Sequence, residues 1–326
     1  MANWPLAFAY AIELTMATFL DRYLGGQCVA VWRELTSLGE EVRHKRYAAD
    51  ASAVARETMR RARHNVEVLI TRLDAIGYRF MALQDHDRIT KEANSRVFRM
   101  IMEISAKMDP GDKRRSNEIR ILRSPEYRKK LVERAEQARQ ATTQSLGRAG
   151  HRAKPPLKDP TVWSVPGKNT AKELDQLEKL AGGPLPMSLR AWYEEVGGVS
   201  LLGWHSLLSP NSDEPHSDVC PDPLMIEPLK STIRQFSEEE FEGQAYVYLA
   251  PDDVTKGGSG GAGPYGMRVP DASADGVFAV VGSRKGLSFI NYLRGAFKWG
   301  GFPGWEGKRG CPAKLISELA EGLLPM

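Results

Sequence analysis

The sequence predicts an α+β fold, a mostly antiparallel sheet flanked by helices and preceded by an α-helical N-terminal region. Three observations predict it. Apolar residues recur at helical spacing through much of the first 80 residues. Short strand-like runs, bounded by Gly, Pro and Asp, follow one another after Gly198. Helical patterns stand on both sides of that group of hairpin-connected strands.

The elements follow in chain order. A first helix is expected around Cys28 to Arg43, with Val29, Trp32, Leu35 and Leu38 on one side. The strongest segment is Ser52 to Ile76. Ala55, Met59, Ala62, Val66, Leu69, Leu73 and Ile76 alternate in steps of four and three and so share a face. Ser52 is a candidate N-cap and Gly77 a candidate C-cap. Arg56, Arg60, Arg63, His64 and Arg72 fall largely off the stripe and read as the solvated face of a packed helical hairpin.

Thr170, with Glu173 three residues on, is a candidate capping box opening a helix through Leu174, Leu177 and Leu180 that stops at Gly182-Gly183. Pro184-Leu-Pro186 is a rigid elbow. Ser188 is placed to cap a second helix with Leu189, Trp192, Tyr193 and Val196, and Gly197-Gly198 permits a positive-φ turn after it. Strands are expected at Val199–Leu202, Pro223–Pro228, Ala245–Leu249 and Val277–Val281. A helix with Phe289, Tyr292, Leu293 and Phe297 comes next, and another between Pro312 and Leu324.

Charge divides the chain. Residues 1–165 hold 30 Lys+Arg against 20 Asp+Glu, and residues 166–326 hold 15 against 21. A basic half joined to an acidic half favours two surfaces with different partners, or two halves that attract each other. Within the basic half, Lys107–Lys158 carries 15 basic and six acidic side chains and few large apolar ones. That composition suits polar helices docked on a neighbour or partial disorder, ending in a linker near Gly147–Pro156. Three regions result: 1–80, helical; 81–165, a basic insertion; and 166–326, α+β.

Cys28, Cys220 and Cys311 are odd in number, far apart and without a CxxC pair, which points to reduced thiols. The apolar run Trp4–Leu20 is short for a membrane span and carries Glu13, and Met1-Ala2-Asn3 lacks the basic start of a secretory signal. A cytoplasmic protein with no membrane partner is therefore expected.

The run Leu177-Glu-Lys-Leu-Ala-Gly-Gly-Pro-Leu-Pro-Met-Ser-Leu-Arg-Ala-Trp-Tyr-Glu-Glu-Val-Gly-Gly198 resembles the opening signature of the SUKH superfamily. That superfamily includes fungal cell-wall-assembly regulators and many bacterial immunity proteins. Asp222-Pro-Leu224, Tyr246–Leu249 with Ala250-Pro-Asp-Asp253, and Phe289–Gly304 are further points of likeness. Val31-Trp-Arg-Glu-Leu35 and Ala53–Phe80 look like the N-terminal helices of some bacterial members. The resemblance implies a SUKH-like fold for residues 166–326 and a binding role. It has no counterpart for residues 81–165.

The sequence carries no recognisable catalytic motif. Lys256-Gly-Gly-Ser-Gly-Gly-Ala-Gly-Pro264 lacks the order of a phosphate loop and reads as a flexible hairpin loop. Asp85-His86-Asp87 stands without a second ligand pair at metal-site spacing, and neither Ser259 nor Ser283 sits in a nucleophile motif. A non-enzyme with no cofactor and no metal is expected.

Two charged features remain. Asp213, Glu214, Asp218 and Asp222 fall in one loop, and Glu238, Glu239, Glu240 and Glu242 in another. They read either as solvated loops or as a docking face for a cognate toxin, for which a basic, nuclease-like domain is the fitting kind of partner. Arg114, Arg115, Lys129 and Lys130 in the insertion read either as a solvated helix face or as phosphate contacts. The leading expectation is an immunity-type protein that neutralises a toxin by direct binding. The alternative is a regulatory adaptor touching nucleic acid through the insertion, and a weaker third is an enzyme whose pocket the sequence does not disclose.

Overall fold

A computed structural model describes residues 17–80, 155–205, 207–208, 221–239, 244–251, 256, 263–281, 283 and 285–326. The fold is α+β with antiparallel sheets. Helices α1 (Phe19–Leu24), α2 (Cys28–Ser37) and α3 (Ala48–Ala75) lead into β1 (Arg79–Phe80). After the insertion come β2 (Trp163–Ser164), α4 (Thr170–Ala181), α5 (Met187–Glu195), β3 (Gly198–Ser200), β4 (Gly203–Trp204) and β5 (Met225–Ile226). Then follow α6 (Leu229–Glu238), β6 (Ala245–Ala250), β7 (Tyr265–Val269), β8 (Val277–Val280), β9 (Leu287–Ser288), α7 (Phe289–Lys298) and α8 (Ala313–Ala320).

The strands pair as β1-β4, β2-β3-β5 and β6-β7-β8-β9. The last two sheets are joined where Glu227 N–H donates to the Leu249 carbonyl at 2.7 Å. Three helix starts differ from the sequence expectation. The long helix begins at Ala48, a turn before Ser52. Helix α4 is preceded by Asn169, and Thr170 accepts from the Gly167 N–H instead of forming a capping box with Glu173. Helix α5 starts after Pro186, so Ser188 lies inside its first turn and its hydroxyl serves another purpose, described below. Gly182 and Gly197, at φ 74° and 89°, make the left-handed turns the sequence called for. At Gly197 a Cβ would also lie 2.1 Å from the Ser164 carbonyl, so no other residue fits there without moving β2.

The apolar stripe of α3 does not close a separate helical hairpin. Val54, Ala55, Met59, Ala62, Val66, Leu69, Ile70 and Leu73 are buried in one hydrophobic core with Leu189, Trp192, Val196 and Leu319. The basic face of α3 is correspondingly not just solvated. Arg56 and Arg60 approach Glu194 and Glu195 of α5 at 3.6 Å each, and Arg63 donates to the Glu195 carbonyl at 3.0 Å. Both ion pairs stay more than half exposed on the arginine side and add little stability, but they fix the direction of approach. Arg43 donates to the Leu185 and Ala272 carbonyls, tying the segment before α3 to the proline elbow.

Asn65, fully buried on α3, grips residue 324 twice. Its Oδ1 accepts from the Leu324 N–H at 2.7 Å and its Nδ2 donates to the Leu324 carbonyl at 3.0 Å. Arg61 donates to the Pro325 carbonyl, Arg72 to those of Leu319 and Glu321, and Arg294 to that of Met326. Three side chains of α3 and one of α7 thus lace residues 319–326 to the rest of the fold.

A buried carboxylate organises the other end of the core. Asp275, just before β8, accepts from the Ser188 hydroxyl at 2.7 Å and from the Ile290 N–H at 3.2 Å. It therefore ties the first turns of α5 and α7 to the sheet. Burial pushes its carboxyl pKa from 3.8 to about 6, with these hydrogen bonds opposing. A raised folded-state pKa means that the folded protein binds the extra proton between those values, so this contribution is complete below pH 3.8 and disappears as pH climbs through 6. The Asp275→Asn variant is expected to lose this pH-dependent component. Urea midpoints compared across pH 4–7 check it, and an unchanged slope in the variant contradicts it.

Candidate interaction surface

The sheet β6–β9 has two unlike faces, because side chains alternate along each strand. Val247, Leu249, Met267, Val269 and Phe278 all point into the core. The opposite face carries Tyr246 and Tyr248 of β6, Gly266 and Arg268 of β7, and Val277 and Ala279 of β8, placed side by side by the registers Tyr246↔Arg268, Tyr248↔Gly266 and Gly266↔Ala279. Both tyrosines are half-buried, Arg268 is exposed, and Val277 is 56% exposed.

Glycine is needed at two places in this sheet because neighbouring side chains already fill the space. A Cβ on Gly266 would come within 2.9 Å of Val281 Cγ2, and one on Gly286 within 2.7 Å of Ala279 Cβ. The Arg268 guanidinium lies 5.9 Å from the Tyr246 ring centre, a cation–π distance. The Tyr248 hydroxyl donates to Glu239 at 3.3 Å, which brings the acidic end of α6 to the rim of the face.

The acidic residues expected to form the docking face separate into groups. Glu238 and Glu239 are exposed, the first ending α6 and the second just beyond it. Asp222 turns inward. It stands in a left-handed conformation at φ 44° and meets the Lys256 ammonium at 2.6 Å. The Asp222 side chain is 13% exposed and that of Lys256 is 0% exposed, and the ammonium lies 5.5 Å from the Tyr265 ring centre. This pair joins the start of the β5 segment to the glycine-rich connection between β6 and β7, and an aromatic stack of Tyr265, Phe278 and Tyr292 lies beneath it.

Asp213, Glu214, Asp218, Glu240 and Glu242 lie outside the described residues, as do Arg114, Arg115, Lys129, Lys130, Ser259 and the Asp85-His86-Asp87 triplet. Among the described residues no three His, Cys, Asp or Glu side chains are grouped for a metal ion, and no helix is long and apolar enough to cross a membrane. The sequence reading passed over Tyr246 and Tyr248 as a surface. Their alternation with buried Val247 and Leu249 is the signal in the sequence, and β7 completes the face. In comparisons with known proteins no family model matches the chain, and neither a curated protein nor a solved structure does.

Proposed function

We propose that this chain is an immunity-type binding protein that neutralises a cognate bacterial toxin by direct protein–protein contact. The SUKH-like signature from Leu177 to Gly198 supplies the class. The observation that carries the reading is the outer sheet face, with Tyr246, Tyr248, Arg268 and Val277 on one side of the sheet and Glu238 and Glu239 at its rim. Tyrosine gives large contact area with few rotatable bonds and a polar tip, which is why it dominates interface hot spots. Acidic residues at a rim speed encounter with a basic partner and favour it over others.

Co-expression with the toxin encoded beside it tests the reading. The expected result is a stable complex that survives purification and abolishes toxicity. Full toxicity with no co-purified toxin overturns it. The adaptor alternative has its own outcome in the same experiment: nucleic acid co-purifies instead and is released by salt, as phosphate contacts through Arg114, Arg115, Lys129 and Lys130 require.

A further inference from the structure

A second site lies away from the tyrosine face. A cavity of about 360 Å³ opens between the β2-β3-β5 sheet and one side of α6. Its floor is made by Val162, Ser200 and Met225, which the strand register places on one face of the sheet, while Val199 and Ile226 turn into the core on the other. Ser231, Arg234 and Gln235 form its wall, and their spacing of three and four residues puts them together on one face of α6. The other side of the helix holds Leu229, Thr232 and Phe236 in the core, which fixes the rotation of the wall. Glu227 completes the lining, with its backbone held by the Leu249 carbonyl and the Tyr193 hydroxyl.

The polar groups here have hydrogen-bonding capacity left over. Among the described residues, the side chains of Glu227, Ser231, Arg234 and Gln235 make no hydrogen bond or close ion pair. Glu227 is partly buried, and burial raises its carboxyl pKa while Arg234 pulls it back. Arg234 is exposed and the other three are half-buried, so all four remain open to a ligand, and beside Val162 and Met225 they give the mixed polar and apolar lining of a small-molecule site.

The charges set the class of ligand. A carboxyl and a guanidinium within electrostatic reach of each other, yet not closed into a pair, offer one acceptor and one planar donor fork. We infer that this cavity binds a zwitterionic α-amino acid, its carboxylate on Arg234, its ammonium on Glu227, and its side chain over Val162 and Met225. Ser231 and Gln235 supply the remaining hydrogen bonds. A bound ammonium ion also favours the ionised form of Glu227, so binding is expected to strengthen as pH rises through that carboxyl's titration.

Isothermal titration calorimetry on the full chain tests this, with leucine, alanine, glutamate and lysine as ligands and N-acetyl-leucine and leucinamide as comparators. At least one free amino acid is expected to bind, with N-acetyl-leucine and leucinamide each at least tenfold weaker than leucine. Arg234→Met is expected to abolish binding and Glu227→Gln to weaken it at least tenfold. Neither side chain holds the fold together, so a native circular dichroism spectrum accompanies both variants. No heat from any member of the panel at millimolar concentration overturns the proposal. So does undiminished binding by Arg234→Met, or equal affinity for leucine and its two blocked forms.

Discussion

Lys256→Ala is expected to lower the free energy of unfolding by about 3–5 kcal/mol, the range for removing one partner of a buried ion pair. The Lys256 side chain is wholly buried, and its Asp222 partner keeps only 13% of its side chain in contact with solvent. Removing the ammonium leaves a carboxylate facing the Tyr265–Phe278–Tyr292 stack with its main counter-charge gone. The pair is not irreplaceable in principle, since matched neutral groups can substitute for buried charges with little loss. The double variant Lys256→Met/Asp222→Asn is therefore expected to be more stable than Lys256→Ala, and asparagine tolerates the left-handed backbone at position 222. Urea titrations of the two variants check that order. If Lys256→Ala loses less than 1 kcal/mol, the pair lies in effective contact with water and this account of it is wrong.

The second large effect belongs to Asn65. Asn65→Ala is expected to cost about 2–4 kcal/mol, because it strips partners from a backbone N–H and a carbonyl at once and opens a small hole at a fully buried position. Asn65→Asp separates the two bonds. It keeps the acceptor for the Leu324 N–H but turns the second oxygen toward the Leu324 carbonyl, so it should be at least as damaging as alanine. Thermal or urea unfolding checks both. Hydrogen exchange is expected to show residues 319–326 opening first in either variant, because their other anchors are arginines on partly exposed carbonyl groups.

The parts of the fold that sequence disclosed are those whose pattern is local and long. The 28 residues of α3 carry an unbroken stripe, and the glycines at 182 and 197 punctuate helices whose apolar faces were plain. Helix α6 was missed because only two large apolar residues, Leu229 and Phe236, are fully turned inward over its ten positions, and because its C-terminal end runs into glutamates that read as loop. Strand β7 was missed because Gly266 and Arg268 interrupt its apolar run, and both make sense only on the open face of the sheet.

The charged groups were harder still. Asp222 was grouped with Asp213 and Asp218 by proximity in the chain, but the left-handed turn at Asp222 redirects it. Its partner Lys256 sits 34 residues away at the start of a glycine run with no apolar pattern to announce burial. The Ser231–Arg234–Gln235 face had helical spacing in view throughout, yet an unassigned helix gives spacing no meaning. Glu227 joins that face only through the pairing of β5 with its neighbours.

The clamp around residue 324 also sets an order of events. During synthesis α3 is complete long before its partners exist, since Asn65 and Leu324 are 259 residues apart in the chain. Until then the apolar stripe of α3 has only the other early helices to cover it, and its buried amide has no backbone to hold. Helix α3 is therefore made early and covered late. A ribosome-bound nascent chain stopped before α8 should accordingly hold native-like helices over an unsealed core, the state in which a chaperone has most to bind.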